Sequence, residues 1–191
     1  MAEILGADKT NLFLRERATE TLVKTEDLTG YKVLAFATHG LIAGDMKGLA
    51  EPALVMTPPR KGTLEDDGLL TASEVATIKL NADLVVLSAC NTAAADGSPN
   101  AEALSGLAKV FFYAGSRSLL VSHWPVGSDA AVNLTTRMLK VVANDNSVGL
   151  AEGLRRSMLA LMKTPDKPHY AHPMFWAPFV VVGEGGVYAA N

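Results

Sequence analysis

The 191-residue chain is 49% apolar and 19% charged, enough to bury one sizeable core behind a modest polar surface. Its formal charge of −3 offers no basic footprint for nucleic acid, and no run of about 18 apolar residues is present to span a membrane. The single cysteine leaves no internal disulfide, and the polar start Met1-Ala2-Glu3 does not read as a signal peptide, so a cytoplasmic location is expected.

In chain order, residues 1–6 read as the end of a helix stopped by Gly6, and Asn11–Arg15 as a short strand. Ala18–Lys24 reads as a helical turn, and Thr29-Gly30 breaks the chain before the first strong strand, Tyr31–Thr38. Leu41–Leu49 is a glycine-rich loop. Ala53–Met56 is a short strand closed by Thr57-Pro58-Pro59, and Gly62–Gly68 is an acidic surface loop with Glu65, Asp66 and Asp67. Thr71 is an N-cap with Glu74 three residues on, a capping box that opens a helix expected to run to about Leu80.

After the buried strand Leu84–Leu87 and a loop, the spacing of Ala103, Leu104, Leu107, Ala108, Phe111 and Phe112 predicts a helix to Tyr113, stopped by Gly115. Ser118–Ser122 is a third buried strand. Ser128–Ala143 and Val148–Met162 are helices, the second with Arg155 and Arg156 outward. Thr164–Pro173 is a loop, and Phe179–Val182 is the last strand. Strands alternating with helices predict an α/β fold, a mostly parallel sheet with helices on both faces.

Two strand ends carry the chemistry. Asp83-Leu84-Val85-Val86-Leu87 has the pattern of a strand buried on both faces, and it runs into Ser88-Ala89-Cys90-Asn91-Thr92. Tyr31–Thr38 has the same form and ends in His39-Gly40. If the two strands are parallel, they deliver a histidine and the only cysteine to one edge, the edge where open α/β sheets bind ligands. A cysteine so placed is either a small core residue or a nucleophile.

Four motifs carry a resemblance: Ala-Thr-His-Gly at 37–40, Leu-Ser-Ala-Cys-Asn-Thr at 87–92, Ser-His-Trp-Pro-Val at 122–126 and His-Pro-Met-Phe-Trp-Ala-Pro-Phe at 172–179. Lesser signals stand in order between them: Asp67-Gly68-Leu69-Leu70-Thr71, Leu104-Ser105-Gly106-Leu107-Ala108 and Ala114-Gly115-Ser116-Arg117-Ser118. From about Ala18 to Gly183 the chain resembles the CHAT family, caspase-like domains often attached to TPR repeats. On this resemblance the chain is expected to be one domain that starts partway through the family pattern, without the N-terminal portion. The 51 residues between His39 and Cys90 also match the caspase arrangement, a histidine about 50 residues before the cysteine.

The resemblance implies a caspase/haemoglobinase-like fold and a cysteine endopeptidase using a Cys90–His39 dyad, with no cofactor or metal. A protein or peptide is its substrate, and a TPR-containing region or another regulatory protein is an expected partner. In such chemistry the imidazole takes the thiol proton, the thiolate attacks a peptide carbonyl, and the imidazolium protonates the leaving amine. The backbone N–H groups of Gly40 and Cys90 are candidate oxyanion donors. Ala89, Asn91, Thr92, Ser122, His123, Trp124 and Asp129 are expected along the cleft. Where many relatives carry acidic residues immediately after the Trp-Pro-Val segment, this chain has Gly127 and Ser128 before Asp129, so pocket selectivity does not transfer.

Blander readings accompany these. His123 beside Trp124 reads as packed or hydrogen-bonded, His169 and His172 as structural or surface residues, and Trp176–Phe179 as core. The four histidines lack zinc-type spacing, and no Gly-rich phosphate loop follows a strand. The alternative to a peptidase is a non-catalytic caspase-like interaction module, with a fragment unable to organise its site as a third reading.

Overall fold

The structure, a computed structural model, describes residues 2–63, 65–87, 103–124 and 126–187, with side chains in the third stretch from residue 106. The chain divides into two compact units, residues 13–124 and residues 1–12 with 125–191.

The first unit is built on parallel strands β1 (Val33–Phe36), β5 (Leu84–Leu87) and β6 (Ser118–Ser122), with β5 in the middle. Val33 pairs with Leu84 and Phe36 with Leu87, while Val85 pairs with Leu119. Every residue of β5 and β6 is buried, as the unbroken apolar run of β5 requires of a strand covered on both faces, while β6 buries Ser118 and Ser122 at the ends of its Leu-Leu-Val centre. Helix α3 (Ala103–Ala114) lays Leu107, Phe111 and Ala114 on one buried stripe, and the Phe111 ring meets that of Phe36 at 5.5 Å. Gly115 ends it at φ 113°.

A smaller antiparallel sheet follows β1. Strand β2 (Gly40–Leu41) pairs with β3 (Ala53–Val55), which pairs with β4 (Leu69–Thr71). Leu54 and Leu70 face each other across it, both fully buried. The capping box forms as expected: Thr71 Oγ1 accepts from the Glu74 N–H and Glu74 Oε2 from the Thr71 N–H at 2.9 Å, opening α2 (Ala72–Val75). Upstream, Thr19 caps α1 (Glu20–Thr25) by accepting from the Leu22 N–H at 3.2 Å.

In the second unit, helices α4 (Ser128–Asn144) and α5 (Leu150–Met162) pack as a pair. A Cβ at Gly153 would sit 2.7 Å from the Val142 Cγ2 methyl, so a larger residue would have to displace it, and the buried Ser157 hydroxyl donates to the Leu134 carbonyl at 2.7 Å. Strand β7 (Phe179–Gly183) and turns at Pro168–Ala171 and Pro173–Phe175 complete it. The fold is α/β, with a mostly parallel central sheet flanked by helices.

Several local expectations are corrected. Residues 12–14 form no strand: they link two 3-10 turns, Lys9–Asn11 and Arg15–Arg17, and Leu14 is exposed rather than paired. Residues 2–5 are a 3-10 turn, not a helix end. Helix α2 stops at Val75 instead of Leu80, because the Thr77 and Ile78 N–H groups bond three residues back and Leu80 turns to donate to the Ala114 carbonyl at 2.6 Å. Strand β1 is not buried on both faces, for Ala35 is exposed and its neighbours are half-buried. Among the described residues of its unit, β5 is its only strand neighbour. In the acidic loop, Gly68 is buried and Asp66 half-buried, because both face α1.

Candidate active site

His39 sits on the three-residue link that carries β1 into β2, at the carboxyl end of the parallel sheet. Its side chain is exposed, while its backbone is fixed: its carbonyl accepts the Val55 N–H at 2.8 Å, and the neighbouring Thr38 hydroxyl donates to the Val55 carbonyl. In an antiparallel ladder hydrogen-bonded and non-bonded pairs alternate. His39 and Val55 form a bonded position, so the next pair, Gly40 with Leu54, is non-bonded and the Gly40 N–H points away from β3.

The parallel register brings other ends to the same edge. Ser122 closes β6 and is buried, and His123 and Trp124 follow it, exposed, with ring centroids 6.5 Å apart. Ala89, Cys90, Asn91 and Thr92 lie outside the described residues, as do the residues that follow them up to 102. Asp129 belongs to the other unit, in the first turn of α4, where its exposed carboxylate accepts from Lys167 Nζ at 3.2 Å.

His169 stacks edge-on against Tyr170 and Phe175, and His172 Nδ1 accepts the Met174 N–H at 3.2 Å, so both do structural work on exposed turns. Trp176 is half-buried and Phe179 buried, close to the core reading. Among the described residues no group of three His, Cys, Asp or Glu could hold a metal, and no helix is long and apolar enough to cross a membrane.

The CHAT domain model matches residues 1–184, and 184 of 191 positions is far more than half of the chain. The chain belongs to the CHAT family. The match reaches residue 1, beyond the stretch from Ala18 over which the motifs alone carry the likeness. No curated protein matches the sequence. Membership puts this CHAT domain in a caspase-like peptidase family, and its parallel sheet flanked by helices is the architecture such a family has.

One residue of this frame escapes a reading by motif. Glu20 is 1% exposed, yet its carboxylate accepts from the Asp67 and Gly68 N–H groups, each at 3.0 Å, and from Lys24 Nζ at 2.7 Å. The available signal was the spacing Glu20 to Lys24 directly after a Thr19 cap, which ordinarily marks an exposed helix pair.

Proposed function

We propose that this CHAT domain is a cysteine endopeptidase that cleaves protein or peptide substrates through a Cys90–His39 dyad. The observation that carries the reading is the register: Phe36 lies opposite Leu87 in parallel strands, and His39 and Cys90 each stand three residues beyond that pair in sequence. The His39 imidazole takes the Cys90 thiol proton. The thiolate adds to the scissile carbonyl, and the tetrahedral oxyanion draws on the Gly40 N–H, a donor of a kind worth roughly 3–4 kcal/mol of barrier. The imidazolium then returns its proton to the leaving amine. Water, deprotonated by the same imidazole, hydrolyses the thioester and restores the thiol.

The cleft draws on Ala89, Asn91 and Thr92 after Cys90 and on Ser122, His123 and Trp124 after β6. In this reading the enzyme works in the cytoplasm without a cofactor, nucleic acid or membrane, and a TPR-containing region or regulatory protein controls it.

The test is alkylation with iodoacetamide between about pH 5 and 9. Cys90 is the only cysteine, so the label reports on it alone. A rate that stays high below pH 7 and falls in His39→Ala is expected of an activated thiolate. A profile rising about an ordinary thiol pKa near ~8.5 in both proteins overturns the dyad and favours a non-catalytic interaction module.

A further inference from the structure

We propose that Glu20 is a positioning residue for His39, acting through the turn at Gly68 and strand β3. Three hydrogen bonds make the connection. Glu20 Oε2 accepts the Gly68 N–H at 3.0 Å, the Gly68 carbonyl accepts the Met56 N–H at 2.8 Å, and Val55, next to Met56, donates to the His39 carbonyl at 2.8 Å. This role rests on the dyad reading above, whereas the mechanical coupling does not.

A carboxylate is costly to bury, and an apolar side chain would fill the same space without that cost. What the carboxylate adds is direction. It grips two successive N–H groups, those of Asp67 and Gly68, where the chain enters β4. Gly68 stands at φ 84°, and a Cβ there would lie 2.9 Å from Pro58 Cα, so the turn is pressed against the segment that leaves β3. Thr57 is braced from the approach to α1, by the Ala18 carbonyl at 2.8 Å and the Arg15 carbonyl at 2.7 Å. Both flanks of the outgoing β3 segment are therefore fixed to α1 or to its N-terminal approach.

The charge is balanced on site. Lys24 Nζ donates to Glu20 at 2.7 Å, to Glu74 at 2.8 Å and to the Glu65 carbonyl at 2.5 Å. Burial pushes the Glu20 carboxyl above its usual range. Burial acts on Glu74 too, but hydrogen bonds from Lys24 and Thr71 outweigh it and hold that carboxyl below its ordinary value. Glu74 also closes the capping box of α2, so one ammonium ties α1, the acidic loop and α2 together.

Native-state amide hydrogen exchange by NMR tests this in the full chain and in Glu20→Met. Met keeps the length of the side chain and removes both acceptor oxygens, so the Asp67 and Gly68 N–H groups lose their partner. The Val55 and Met56 amides are expected to exchange about tenfold faster or more in the variant, while Val85 and Val86 of β5 change less than about threefold. Glu20→Asp, with the same charge on a stem one carbon shorter, is expected to show the same selectivity more weakly. Uniform acceleration at all four amides, no change at Val55 and Met56, or failure of both variants to fold assigns Glu20 to general stability and overturns the proposal.

With a cleavable peptide, kcat is expected to fall about tenfold with KM within about twofold, because the loss is in the orientation of a reacting group. Selective exchange in a chain that cleaves nothing overturns the peptidase reading and leaves the coupling of Glu20 to His39 standing.

Discussion

Val55 grips the His39 peptide from both sides: its N–H donates to the His39 carbonyl at 2.8 Å, and its own carbonyl accepts the hydroxyl of Thr38. An exposed histidine at a strand end would otherwise sweep a wide arc with its backbone. Thr38→Val keeps the branched shape and deletes the donor. The loss of one part-buried hydrogen bond predicts about 1 kcal/mol of destabilisation, read as a lower urea midpoint at unchanged slope. An unchanged midpoint would mean that water replaces the hydroxyl at no cost.

The elements read most securely from sequence were those with unbroken burial or with a cap. Leu84–Leu87 is a strand because nothing in it needs water, Ser118–Ser122 has an apolar centre between two serines, and Thr71 with Glu74 opens a helix because each satisfies the other's backbone. The failures have physical causes as well. Leu12-Phe13-Leu14 has strand composition but no partner edge, and Arg17 covers Phe13 with its guanidinium 5.1 Å from the ring centre. Glu20 looks like an exposed helix charge until Asp67 and Gly68, 47 and 48 residues away, bring their amides to it. The direction of the Gly40 N–H was equally invisible, since it depends on the register between β2 and β3.

Gly115 gives a direct test of how α3 is locked to the segment before β5. Its φ of 113° is one that side chains rarely adopt, and a Cβ would lie 2.2 Å from the Leu80 carbonyl oxygen, whose own N–H bonds the Ala114 carbonyl. Gly115→Ala therefore meets both backbone strain and a clash with backbone that cannot rotate away. A loss of about 2 kcal/mol or more is expected, visible as a lowered thermal midpoint. A neutral outcome would show that the α3 end relaxes freely.

Glu152 carries a pH dependence of definite sign. Hydrogen bonds from Arg155, at 2.6 Å and 2.9 Å, and from Arg156 at 2.8 Å hold its carboxyl down at about 2, from an ordinary 4.5. Between those values the unfolded chain binds more protons than the folded one, so stability rises with pH there. The contribution is in place above about 4.5 and is lost as pH falls through about 2. The pairs are exposed, so the effect is modest and salt-sensitive. Glu152→Gln should flatten this part of the acid unfolding curve at low salt and make little difference at 1 M salt. Identical curves at low salt would refute it.

The last prediction concerns the dyad as a unit. A thiol and an imidazole that pass one proton between them fail together, because neither has its function without the other. Cys90→Ala and His39→Ala are each expected to lower peptide cleavage by roughly 10³-fold or more, and the double variant by no more than the worse of the two. Losses that multiply would mean that His39 acts on the substrate independently of Cys90. Cleavage that survives Cys90→Ala would remove the thiol from the chemistry altogether. Because Val55 fixes the His39 backbone while leaving its ring exposed, His39→Ala should keep the β2–β3 pairing, and unchanged exchange at Val55 separates loss of chemistry from loss of fold.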